Sequence, residues 1–195
     1  MWLAVWIADE VAERETLTFD RNVLEAIHAV STPALVTAAR VLSALGPPVA
    51  ITLVTVIATV VLWGAGRHGA ALIFAAGSAG TALLNTALKD LFARARPDLW
   101  PHPAVSGDSF PSGHAMQCAM VYGVLAVLLA RSRPALRVPV LTGAALLILA
   151  IAASRAVLGV HWPTDLVAGL ALGTACGLLT LWAIDARTKR VTARA

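Results

Sequence analysis

Five stretches of this chain contain no Asp, Glu, Lys or Arg: residues 41–66, 69–88, 109–130, 138–154 and 166–184. They are 26, 20, 22, 17 and 19 residues long. The hydrocarbon core of a bilayer is about 30 Å thick and a helix rises about 1.5 Å per residue, so about 20 apolar residues cross it. Each stretch is near that length. A water-soluble domain would have to hide five such helices behind very little polar surface, because only 13% of the 195 residues are charged, against about 25% in ordinary soluble domains. The same pattern excludes a disordered chain, a coiled coil, a disulfide-rich module and a nucleic-acid binder.

The expected fold class is therefore all-α, a polytopic membrane helix bundle. Its five spanning helices are expected at roughly 47–64, 68–90, 112–131, 137–156 and 163–184. A single membrane-embedded domain over residues 1–195 accommodates them: an N-terminal stub and interfacial helices over 1–45, a transmembrane core over 46–185 and a basic tail over 186–195. Cys118 and Cys176 both fall inside predicted spans, form no metal-ligand spacing and read as apolar filler.

Residues 2–8 are apolar but too few to cross a bilayer, and no basic segment precedes them. They read either as the end of a sixth span that starts upstream or as an interfacial anchor. Further on, Phe19, Val23, Ala26, Ile27 and Val30 recur at helical spacing, with Asp20, Arg21, Glu25 and His28 on the other side. This predicts an amphipathic helix, lying in the headgroup layer or packed on the bundle. Thr32-Pro33 reads as the cap and first position of a second short helix, which Gly46-Pro47-Pro48 ends.

The connection at 64–68, the connection at 131–137 with Arg131, Arg133 and Arg137, and the tail with Arg187, Lys189, Arg190 and Arg194 fall on one side of five alternating spans. The positive-inside rule makes that side cytoplasmic. The 9–45 segment and the connections 91–111 and 155–162 then face outward. These outer segments hold the polar residues a membrane chain would not keep without reason, since charge at bilayer depth costs about 2.5–3.5 kcal/mol or more.

Three clusters stand out there. Lys89 and Arg96 are seven residues apart, about two helical turns, and so are expected on one helix face, where two cations suit an anion such as phosphate. Arg94 would point about 160° away on that helix. Headgroup snorkelling is the competing explanation for these cations. Pro111-Ser112-Gly113-His114 opens the third span. Free N–H groups and the positive end of a helix dipole suit an anion there, Gly113 permits close backbone approach, and Ser112 is the expected N-cap. Ser154-Arg155, His161 and Asp165 form the third cluster, in which Asp165 can turn back to one His161 nitrogen and raise the basicity of the other.

The loop 97–111 carries prolines at 97, 101, 103 and 111. It is expected to border the headgroup pocket, with Trp100 and Phe110 at the membrane interface and His102 and Asp108 as candidate headgroup contacts.

Taken together, the three clusters resemble the signature of the type-2 phosphatidic acid phosphatase superfamily, K-x6-R-P, P-S-G-H and S-R-x5-H-x3-D, with no signature position substituted. The resemblance implies a metal-independent, cofactor-free phosphohydrolase of lipid phosphates in the cytoplasmic membrane, with its site on the outer side. It implies that His161 is the nucleophile forming a phosphohistidine, that Asp165 orients it and that His114 is the general acid. It also implies that Lys89, Arg96, Ser112, Gly113 and Arg155 hold the phosphoryl oxygens. Three fixed cations can stabilise a phosphoryl group without a metal, and the outer loops offer no carboxylate cluster for one.

A membrane lipid phosphate is the expected substrate, an undecaprenyl-type isoprenoid diphosphate first, then phosphatidylglycerol phosphate or phosphatidic acid. Two other classes stay open at this point. Vanadate-dependent haloperoxidases share the three motifs, although they are soluble proteins. A lipid-binding or transport protein without catalysis is the other, although transporters keep their polar residues nearer the midplane.

Overall fold

The computed structural model describes residues 17–102 and 104–192. Among the described residues, seven α-helices follow one another: α1 Leu17–Ala29, α2 Pro33–Ser43, α3 Pro48–Gly64, α4 His68–Phe92, α5 Gly113–Ser132, α6 Arg137–Val157 and α7 Pro163–Thr192. A short 3-10 turn, Pro134–Leu136, leads into α6. The expectations for residues 2–8 lie outside the described residues.

Among the described residues, four helices are long and apolar enough to cross a membrane: α4, α5, the 3-10 turn with α6, and α7. The fifth crossing differs from the expected single span. Residues 48–64 are 17 residues long and reach spanning length only together with α2, from which they are bent by 45°, the geometry of a broken span or a re-entrant loop. The break falls at Gly46-Pro47-Pro48, where proline removes backbone donors and clashes with the preceding turn. Thr32 caps α2 as expected, its Oγ1 accepting from the Leu35 N–H at 3.2 Å.

Helix α5 is the centre of the bundle. Met116, Cys118, Met120, Val121, Val124 and Leu128 are buried on it. All of these except Met116 pack with Phe74 of α4, Ile151 of α6, and Leu181 and Ile184 of α7. Large side chains on the outer faces, such as Leu53, Ile57, Leu146, Leu178 and Trp182, are exposed, as they must be when the surrounding solvent is lipid.

The closest packing joins α5 to α7 along Gly169, Gly173 and Gly177. A Cβ on Gly169 would stand 2.7 Å from the Ser112 carbonyl oxygen, and one on Gly173 would collide with the Met116 backbone. Small residues at a four-residue interval let two helix backbones meet where no hydrophobic force drives them together. The seam ends at the site, where the Ser112 N–H donates to the Asp165 carbonyl at 3.1 Å.

Helix α1 is amphipathic and packs on the bundle, but its inward face differs from the expected one. Leu24 and Ile27 pack against Ala156, Trp162 and Leu166, whereas Phe19 is 60% exposed. Asp20, expected on the polar side, has no exposed surface. The inward stripe is therefore Asp20, Leu24 and Ile27, and an acidic residue opens it because a buried arginine waits opposite.

Candidate active site

The carboxyl end of α4 does not continue to Arg96. Ala93 takes a left-handed conformation, φ 42°, and its N–H closes on the Lys89 carbonyl. The chain then leaves the helix, so Lys89 and Arg96 do not share a helix face. They meet through the loop instead. Lys89 Nζ donates to the Asp108 carbonyl. Arg96 donates from Nε to the Gly107 carbonyl at 2.8 Å and from Nη2 to the Ser106 and Asp108 carbonyls at 3.2 Å. Asp108 thus serves the site through its backbone.

Residues 158–162 carry His161 between α6 and α7. Its Nδ1 lies 3.3 Å from Asp165 Oδ2 and 3.3 Å from Ser109 Oγ. Its Nε2 lies 3.1 Å from Arg96 Nη1, which also donates to the Val160 carbonyl at 2.7 Å. A carboxylate on one side and a guanidinium donor on the other fix the neutral tautomer with its proton on Nδ1 and its lone pair on Nε2. Burial pushes the His161 imidazole down to about 4 from its ordinary 6.5, with Arg96 and Arg155 adding to the effect and Asp165 opposing it. Burial likewise lowers Arg96 from its ordinary value, against the pull of Asp165 and Asp108.

Asp165 is held from several sides. Its Oδ2 accepts from the Trp162 N–H at 2.9 Å and from Ser109 Oγ, while its Oδ1 is paired with Arg94 Nη1. Arg94 Nη2 reaches Asp20 Oδ2 at 2.7 Å.

Lys89, Arg96, Gly113, His114, Arg155 and His161 line one cavity of about 590 Å3. His114 fits because Gly46 has no side chain, since a Cβ there would stand 2.9 Å from the imidazole Cγ. Ser112 is at the N-cap of α5 without a capping hydrogen bond; its Oγ is buried and lacks a hydrogen-bond partner. The Nε of Arg155 is orphaned in the same way, while its Nη1 donates to Ser43 Oγ. A basic cavity beside the open amino terminus of a helix can hold an anion with backbone donors and side chains together.

From this end the cavity runs down between α3 and α4, past Ile51, Thr52 and Val56 on one side and Ala75, Ala79 and Ala82 on the other. A second cavity of about 790 Å3 lies on the far side of His114 and Arg155, bordered by Arg40, Pro101, His102 and Val105. Phe110 does not sit at an interface: it is 1% exposed and packs against Phe92 and Ala168. Trp100 stacks on His28 with ring centroids 4.0 Å apart.

A family model described as the PAP2 superfamily matches residues 70–189. The chain belongs to the PAP2 superfamily. Among curated relatives it is 42% identical over 96 residues to "Phosphatidylglycerophosphatase B" of Bacillus subtilis (strain 168), 47% of this chain and 46% of the relative. It is 34% identical over 115 residues to "Decaprenylphosphoryl-5-phosphoribose phosphatase" of Mycobacterium tuberculosis, 55% of this chain and 58% of the relative. The chain thus spans about half the length of the curated relatives it matches. Among solved structures, a transmembrane PAP2-type phosphatidylglycerolphosphate phosphatase from Bacillus subtilis superposes with a TM-score of 0.82 at 27% identity, covering 92% of this chain and 94% of that one. The Aquifex aeolicus LpxE structure shares the fold, with a TM-score of 0.65 at 21% identity over 82% of this chain and 93% of the other.

Four residues of the site escaped the sequence reading: Arg94, Asp20, Ser109 and Thr164. Continuing α4 to Arg96 points Arg94 away from the site, whereas the helix ends at Phe92. The signal against that extension was Pro97, since helices tend to stop before a proline. Ser109 and Thr164 carry no sequence signal of their own.

Proposed function

We propose that this PAP2 protein is a lipid phosphate phosphatase that works through a phosphohistidine at His161. The observation that carries the reading is the His161 imidazole, with Nδ1 facing Asp165 and Nε2 facing a cavity that also holds His114, Lys89, Arg96 and Arg155.

In this mechanism the substrate phosphoryl oxygens bind Arg96, Arg155, Lys89 and the Gly113 end of α5, with Ser112 Oγ turning to donate. The Nε2 lone pair of His161 attacks phosphorus. The bond to the leaving oxygen breaks as His114 gives that oxygen its proton. Asp165 stabilises the positive charge that develops on the His161 ring. Water, deprotonated by His114, then attacks the phosphohistidine, releasing inorganic phosphate and restoring the imidazole.

The lipid tail occupies the α3–α4 end of the cavity, and the site faces the outer side of the cytoplasmic membrane. Both Bacillus subtilis relatives are named for phosphatidylglycerophosphate, which moves a glycerophospholipid phosphomonoester ahead of the isoprenoid diphosphate that the sequence alone put first. Purified protein in detergent, with EDTA, is assayed for phosphate release from phosphatidylglycerol phosphate, phosphatidic acid and undecaprenyl diphosphate. Release from the first two with little from the third is the expected result. No release from any of them overturns the enzymatic reading.

A further inference from the structure

We propose that Asp20, on the amino-terminal helix α1, is a positioning residue for the catalytic pair, acting through Arg94. The proposal rests on the reading of His161 and Asp165 given above.

Asp20 is fully buried, and every contact recorded for its carboxylate leads to the site. Its Oδ1 accepts from the Thr164 N–H at 2.9 Å, and its Oδ2 from Thr164 Oγ1 at 2.6 Å and Arg94 Nη2 at 2.7 Å. Arg94 donates from Nη1 to Thr164 Oγ1 at 2.9 Å and to Asp165. One guanidinium therefore stands between two carboxylates, and the Trp162 ring lies 5.6 Å from its Cζ. Thr164 and Asp165 are neighbours in the first turn of α7, so Asp20 and Arg94 together hold two consecutive residues of that turn.

The charge arrangement has a direct consequence. The groups facing His161 are Asp165, Arg96, Arg155 and, across the cavity, His114. Only Asp165 among them favours a positive imidazole. If Arg94 were paired with Asp165 alone, its full charge would offset that carboxylate. Asp20 draws part of the guanidinium charge to itself, leaving more of the Asp165 charge for His161. A fully buried arginine between two carboxylates is also fixed in place more firmly than one held by a single partner. In this way a helix that contributes no group to the cavity sets both the position and the effective charge of the residue that orients the nucleophile.

The experiment uses the full chain in detergent micelles with short-chain phosphatidic acid as the probe. Asp20→Asn removes the charge and keeps the shape. The expected result is a kcat lower by about tenfold, a KM within about twofold, and an acid limb of the pH profile displaced downward by about half a unit, because an imidazolium at His161 loses support. Asp20→Glu is expected to recover most of kcat and the original limb. Glu25→Gln, which removes the same charge from the exposed side of α1, is expected to change neither. Wild-type kinetics in Asp20→Asn, or a lower kcat with an unmoved limb, overturn the proposal and leave Asp20 as a fold anchor. Failure of both Asp20→Asn and Asp20→Ala to accumulate as folded protein, while Glu25→Gln accumulates normally, has the same meaning. His161→Ala separates the two levels: activity retained there overturns the phosphohistidine reading itself, whatever Asp20 does.

Discussion

Arg96 Nη1 stands 3.1 Å from the Nε2 of His161 and donates to the Val160 carbonyl, while the rest of its guanidinium is bound by the carbonyls of Ser106, Gly107 and Asp108. The nitrogen that would attack phosphorus is therefore covered by a donor. A phosphoryl group bears oxygens that bind this guanidinium better than backbone carbonyls do, so its arrival releases the lone pair it needs. Arg96→Lys keeps the charge but loses the fork. A kcat/KM lower by about 10²-fold, measured as phosphate release, is the expected outcome.

Removal of the imidazole at position 161 should cost orders of magnitude. His161→Ala is expected to lower kcat by at least about 10³-fold. Acid-quench trapping of a labelled phosphoenzyme in the wild type and its absence from the variant provide the matching chemical check.

The acid limb of activity should lie near pH 4 rather than 6.5, since burial keeps the His161 imidazole neutral to about 4 and attack requires the neutral form. Linkage gives a second readout. The unfolded chain takes up a proton near 6.5 that the folded protein refuses until about 4. The stability contribution of this residue is thus complete above pH 6.5 and is lost as pH falls through that interval. A pH-dependent thermal unfolding series compares wild type with His161→Gln.

The glycine seam should be intolerant of even one methyl group. Gly173→Ala places a Cβ against the Met116 backbone, where no flexible side chain can yield, and is expected to cost about 1–3 kcal/mol. Gly143→Ala on α6 meets nothing within 4 Å and is expected to leave the unfolding temperature in detergent nearly unchanged.

Much of the fold was legible because crossing a membrane demands charge-free length, and the five stretches state it directly. The bend at Gly46 was visible as a helix stop, yet nothing in the sequence said that α3 reaches spanning length only when α2 is added to it. Within the site, Lys89, Arg96, His114, Arg155, His161 and Asp165 were legible because charged side chains at the ends of apolar helices need a reason to be there. Their joint lining of one cavity, or in the case of Asp165 its hold on the His161 ring, depends on loop and helix contacts that spacing cannot encode. The Lys89–Arg96 relationship was misread for a single geometric reason, the left-handed Ala93 that ends α4. Asp20 was misread because helical periodicity defines which residues share a side, but not which side docks. That choice was made by Arg94 and Thr164, more than 70 residues away.

The cavity lined by His161 is also lined by Val56, more than half exposed on the flank of α3, and in the proposed reading a lipid substrate would enter past it from the leaflet. A molecule taking that route is met by two-dimensional diffusion within the leaflet. Turnover would then be governed by how many substrate molecules there are per lipid, and diluting vesicles with buffer would alter it far less than diluting the substrate with inert phospholipid.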